Sequence, residues 1–215
     1  MNIVVVGGGE PGKFGNDFCN LAKQEGHNVF ILSHKEYKTA DPRHTHADFR
    51  KKESVIEEFN KLTSSIDHID IFIFNGWCNC YPSCAHYFTS HAEIDIQSWH
   101  ENLDTTVVLP HLLSIEALKK MSIGSKIVFL TTKMALEFER TNYTEMAGYA
   151  GIKAAQTHLM IALAHHNDKG VIVSSISPHF PYEDRESYNR VFIKGYKYIL
   201  SFDKSRNGCI EYISS

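Results

Sequence analysis

The chain has 215 residues, 43% hydrophobic and 22% charged, and 22 basic against 25 acidic side chains leave a formal net charge of −3. That balance fits one globular domain, residues 1–215, and excludes a disordered or fibrous chain. It offers no basic footprint for nucleic acid and no polybasic membrane anchor. No apolar run approaches the roughly 18 to 20 residues that cross a bilayer, so neither nucleic acid nor membrane is expected as a partner. The five cysteines include Cys78, Cys80 and Cys84 crowded together. They differ from the dispersed pairs of a secreted disulfide framework and read as reduced thiols in a cytoplasmic protein.

Residues 1–7 form a β-branched run that stops at glycine, the pattern of a strand buried on both faces. The period then changes. Phe14, Phe18, Leu21 and Ala22 recur at helical spacing, with Gly26 as the stop. A short strand at 29–32 follows, then a helix over 52–62, a strand at 69–74, a long helix over 98–121 and a strand at 126–131. A helix over 146–166 and a strand at 171–176 complete the regular part, before a last strand at 209–213. Strands separated by helices of this length require right-handed crossovers and a parallel sheet, so the expected fold is a single doubly wound α/β domain of the Rossmann type. Ligands of such sheets bind outside the carboxyl ends of the strands, where the informative residues should lie.

After the first strand comes Gly7-Gly8-Gly9-Glu10-Pro11-Gly12-Lys13-Phe14-Gly15. Glycines let backbone approach a pyrophosphate, and the following helix start presents unpaired N–H groups to it. The spacing, Gly8-x3-Gly12-x2-Gly15, also suits an ordinary strand-to-helix turn. The second strand ends in Ser33-His34-Lys35 with no carboxylate before Glu36. Hydroxyl and cationic groups there suit a 2′-phosphate better than a bare ribose, which favours NADP over NAD, although a solvated loop would carry the same residues.

Tyr149-Ala150-Gly151-Ile152-Lys153 sets a phenol and an ammonium one helical turn apart on one face. A nearby ammonium favours the phenolate, which is what a proton donor to a carbonyl oxygen needs. With this pair following the fifth strand, the chain resembles the short-chain dehydrogenase/reductase family from Asn2 to about Pro178. The marks recur in order: the glycine turn; Asp48 at the adenine-contacting aspartate; Asn75-Gly76-Trp77 near the family's Asn-Ala-Gly; and the segment from Trp99 to Pro110 at the helix of the catalytic asparagine. Residues 124–132, ending in Thr131-Thr132, are similar to the strand of the catalytic serine, and residues 170–178 to the next strand.

The resemblance implies hydride transfer between NADP, or NAD, and a small-molecule carbonyl or alcohol. Tyr149 would be the general acid/base, with Lys153 holding the nicotinamide ribose and Thr132 bonding the substrate oxygen. Gly8, Gly12, Phe14, Gly15, Ser33, His34, Asp48, Asn75, Gly76, Lys153 and Pro178 would contact the cofactor. Where the family holds asparagine this chain places Thr106 or a neighbour, although that asparagine helps hold a water in the proton relay to the lysine. Threonine also stands for serine, and the segment after Pro178 is short, with Phe180, Pro181 and Tyr182 as remnants of a lid. Those departures support an alternative, a nucleotide-binding or regulatory protein with impaired catalysis. The helices over 98–121 and 146–166, with Leu159-Met160-Ile161 in succession, predict a homodimer or homotetramer.

Cys78, Cys80 and Cys84 with His86 and His91 could ligate zinc, but they lack paired Cys-x2-Cys spacing and read as free thiols, so no metal is expected. His165 and His166 suit a helix end. There is no Gly-x-Ser-x-Gly elbow, and Lys13 is followed by Phe14 where a P-loop needs Ser or Thr.

Overall fold

A computed structural model describes residues 1–34, 41–76, 96–135, 147–179 and 184–214. Seven parallel strands form one sheet: β1 (Asn2–Val6), β2 (Asn28–Ser33), β3 (His44–His46), β4 (Ile71–Phe74), β5 (Lys126–Leu130), β6 (Ile172–Pro178) and β7 (Ile210–Ile213). Their order is β3-β2-β1-β4-β5-β6-β7. The register runs straight through the centre, with Val5 beside Ile31 on one side and Ile73 on the other.

The strand sequences explain why both faces are covered. On β1, Val4 and Val6 point to one face and Ile3 and Val5 to the other; Phe72 and Phe74 alternate with Ile71 and Ile73 on β4. Such strands leave no polar face for solvent, so helices must pack on both sides. On the first face lie α2 (Lys52–Thr63), through Val55, Phe59 and Leu62, and two later helices, through Leu109, Leu113 and Met160. The opposite face holds α1 (Phe14–Gln24), through Phe14, Phe18 and Ala22, and a C-terminal helix, through Tyr188, Val191, Phe192 and Ile199. Full burial of such a side chain contributes roughly 1.5–3 kcal/mol.

The region expected as one helix over 98–121 is built in three pieces: α3 (Ile96–Leu103), a π turn (Asp104–Val108) and α4 (Leu109–Leu118). Proline explains the break. Pro110 has no N–H for the carbonyl four residues earlier, that of Thr106, and the ladder widens there, the Leu109 N–H reaching back five residues to Asp104. α5 (Ala147–His166) follows. Asn167 closes it, its side-chain amide donating to the Leu163 and Val171 carbonyls at 3.0 and 3.1 Å. The last helix is α6 (Arg185–Ser201), capped by the Asp184 carboxylate on the Glu186 N–H at 3.0 Å.

β1 lies between β2 and β4, so successive connections leave it in opposite directions. The crevice at that switch point opens at Gly7 and Asn75, the residues that follow β1 and β4. No helix among the described residues is long and apolar enough to cross a membrane.

Candidate active site

The glycine turn is shaped by close approach on one side and open space on the other. Gly7 has φ +87°, and a Cβ there would stand 2.7 Å from the Asn75 carbonyl oxygen. Only glycine combines that conformation with that contact. Asn75 fastens the turn to β4: its N–H donates to the Val6 carbonyl at 2.8 Å and its side-chain amide to the Gly7 carbonyl at 2.9 Å. The same amide occupies the space a side chain at Gly15 would need, while a Cβ at Gly8 would meet the Cys19 sulfur at 2.8 Å. Gly12, with φ +74°, faces nothing within 4 Å. Gly8 and Gly15 thus give close packing of turn, helix and strand, and Gly12 leaves the tip bare. The N-cap residue of α1, Lys13, makes no side-chain capping bond. Phe14 itself is a core residue, its ring against Phe192 at 5.6 Å between centroids. Gly76 lies directly over the Phe74 ring.

Beyond β2, Ser33 is buried and its hydroxyl pairs with Nε2 of His44 at 2.9 Å. Burial lowers the pKa of that imidazole. His34 turns its ring toward the next loop, where Nδ1 accepts the Phe49 N–H at 3.3 Å. Asp48 is clasped by Arg50 through two contacts of 2.9 and 3.0 Å, and the guanidinium holds its carboxyl down at about 2. Lys35 lies outside the described residues, as do Cys78, Cys80, Cys84, His86, His91, Phe180, Pro181 and Tyr182. Among the described residues no group of three or more His, Cys, Asp or Glu side chains could hold a metal ion.

On α5, Tyr149 is buried with Val107 and Ile152, and Trp99 and Leu103 pack against the three. One turn later Lys153 reaches the carboxyl end of β5, its ammonium donating to the Leu130 carbonyl at 2.9 Å and to Oε1 of Gln156 at 3.1 Å. The side chain is 3% exposed, and burial pulls its pKa from 10.5 to about 7. Thr132, partly exposed, follows the same strand, and its neighbour Thr131 bonds the Thr157 hydroxyl on α5 at 2.7 Å. Pro178 ends β6, beside Ile213 of β7. The fold therefore brings the Tyr149–Lys153 turn, Thr132 and Asn75 to one edge of the sheet, while His34 and Asp48 are engaged with the loop after β3.

Two hollows lie elsewhere. One of about 370 Å³ separates α1 from α6. The other, about 240 Å³, sits at the amino ends of β1, β4 and β5. There Nε2 of His68 is 3.3 Å from the Ser125 hydroxyl and 3.6 Å from Asp70. Both contacts use one ring nitrogen, whereas a serine-activating relay needs both.

No protein-family model matches the sequence, and no curated protein does. Solved structures do match. A short-chain dehydrogenase/reductase from Serratia marcescens superposes with a TM-score of 0.74 at 20% identity, covering 99% of this chain and 95% of that one. A short-chain dehydrogenase from Burkholderia cenocepacia, in complex with NADP, gives 0.72 at 17% over the same shares. BdcA in complex with NADPH gives 0.72 at 16%, over 99% and 92%.

The chain has the short-chain dehydrogenase/reductase fold. A short-chain dehydrogenase/reductase sheet places Gly7 at the switch point, a residue that the spacing argument passed over in favour of Gly8, Gly12 and Gly15. The signal for Gly7 was its position at the first residue past a buried strand. Gln156 was missed as well: three residues after Lys153 and seven after Tyr149 it shares their helix face, and the fold buries it.

Proposed function

We propose that the protein is an oxidoreductase that moves hydride between NADP(H), with NAD as the alternative cofactor, and a small-molecule carbonyl or alcohol. The observation that carries this reading is the Tyr149–Lys153 turn seated at the carboxyl end of β5, with the buried Lys153 amine poised near neutrality. The turn fits a dinucleotide, because the bare tip at Gly12 and the start of α1, where the Lys13 side chain makes no capping bond, leave room and backbone donors for a pyrophosphate. Gly8, Gly15 and Asn75 would hold the turn in that shape, with Gly76 and Pro178 at the neighbouring strand ends. Ser33, His34 and Asp48 would border the adenosine end. Bound cofactor supplies or accepts the hydride at the substrate carbon. In reduction, Tyr149 gives its proton to the developing alkoxide oxygen while Thr132 bonds that oxygen; in the reverse direction Tyr149 takes the proton back. Lys153, one helical turn from Tyr149, would favour the ionised phenol and bond the nicotinamide ribose.

A second reading, nucleotide binding without turnover, draws on Thr106. With its neighbours it answers to the family's asparagine position, and it is buried, its hydroxyl without a hydrogen-bond partner among the described residues. Titration with NADPH and NADH, followed by a panel of carbonyl substrates for wild type and Tyr149→Phe, separates the two. Tyrosine-dependent turnover supports the first reading, binding without turnover supports the second, and failure to bind either cofactor removes both. A homodimer or homotetramer in the cytoplasm, with no metal, completes the proposal. The exposed Val108 and Ile115, seven residues apart along one helix face, would lie in the subunit contact.

A further inference from the structure

Beside Lys153 the core buries a polar side chain that bridges to another helix and that the chemistry above does not use. Gln156 is 1% exposed, and both ends of its amide are engaged. Its oxygen accepts from the Lys153 ammonium at 3.1 Å, and its nitrogen donates to the Thr106 carbonyl at 2.7 Å. That carbonyl is available because Pro110, four residues on, has no N–H to offer it. A buried carbonyl left bare would be costly, and the Gln156 amide accepts from the ammonium through its oxygen while its nitrogen donates to that carbonyl. The π turn and the lysine are thus joined directly by one side chain. An amide neither releases nor takes up a proton near neutral pH, so this link is a strut and carries no proton relay.

We propose that Gln156 is a positioning residue whose amide, anchored on the Thr106 carbonyl, clamps the Lys153 amine against the end of β5 and fixes its approach to the ribose hydroxyls of a nicotinamide cofactor. The inference rests on the cofactor reading given above. With Leu130 and Gln156 each taking one N–H, the remaining bonding direction of the amine is set. The amine meets the Leu130 carbonyl on β5 and the Gln156 amide, which in turn holds the Thr106 carbonyl, and Tyr149 lies one turn back on α5. Asp104 in the π turn is paired with Lys52 at 2.8 Å.

The test follows the titration of Lys153 by NMR on isotope-labelled lysine in the cofactor-free protein, alongside NADPH and NADH binding, in wild type, Gln156→Leu and Gln156→Glu. Gln156→Leu removes an acceptor from the ammonium and lowers the Lys153 midpoint. Gln156→Glu, of equal size, places a carboxylate there and raises proton affinity about tenfold or more. Loss of the strut weakens NADPH binding in Gln156→Leu by about tenfold, the value of one hydrogen bond to a charged group. A merely structural glutamine would lower thermal stability in both variants and leave the Lys153 midpoint at its wild-type value, which overturns the proposal. Shifted midpoints with unchanged NADPH affinity overturn the positioning role. Shifted midpoints in a protein whose wild type binds neither cofactor leave the contact intact but sink the cofactor reading, and the role given to the clamp with it.

Discussion

Lys153 makes the stability of this protein depend on pH in a window where most lysines are silent. Its ordinary value of 10.5 and its buried value of about 7 span roughly 3.5 pH units, at about 1.4 kcal/mol each, or about 5 kcal/mol in all. The sign is fixed by which state holds the proton. Below pH 7 the amine is charged folded and unfolded alike, and the cost of burying the charge is present in full. Between 7 and 10.5 the folded amine has released its proton while the unfolded one still binds it, so stability rises with pH. Against a total of about 5–15 kcal/mol for a typical domain, the effect is large. Lys153→Met keeps most of the stem and removes the titration. Urea unfolding of both proteins from about pH 6 to about pH 10, taken as wild type minus variant, cancels the other titrating groups. The difference should be flat in the acid limb and then climb by up to about 1.4 kcal/mol per pH unit. A difference that stays flat throughout would show that the amine is hydrated in the folded protein and refute the reasoning.

Three further outcomes are expected. Gly12→Ala costs about 1 kcal/mol from its positive φ alone, whereas Gly7→Ala adds the collision with the Asn75 carbonyl and costs more; denaturant midpoints rank the two, and equal losses would contradict the contact. The Cys19 thiol, pushed up to about 12 by burial, should resist alkylation at mildly alkaline pH while the half-exposed Cys209 reacts, as site-resolved mass spectrometry would record. If wild type scatters light as the proposed oligomer, Ile115→Glu should give monomers, and an unchanged mass would refute a subunit contact at this face.

The parts of the fold legible in the sequence are those whose pattern has a single solution. Val4-Val5-Val6 and Ile71-Phe72-Ile73-Phe74 are apolar on both sides and can only be central strands. β3 offers no such pattern: His44–His46 is three residues long and polar, and it is a strand because β2 provides a partner edge. The helix over 98–121 was legible as a helix, but its π turn was not. Pro110 falls midway along the expected helix, where a proline marks a kink, but only counting back to Thr106 exposes the carbonyl it deprives. The Tyr149–Lys153 spacing was readable because it lies along one helix. The Gln156–Thr106 contact joins residues 50 apart and depends on tertiary placement.

The π turn also sets the phase of a helix. It interposes one residue beyond the regular ladder, so the segment Ile96–Leu103 is rotated relative to Leu109–Leu118 by about 100° from where an unbroken helix would carry it. Trp99 and Leu103, on the segment before the turn, pack against the cluster of Val107, Tyr149 and Ile152. Removing any one residue between 104 and 108 would leave composition almost untouched, yet it would turn a different row of side chains toward the phenol. Which groups wall the tyrosine is therefore a matter of count, and a one-residue change of length there acts as a substitution at every position before it.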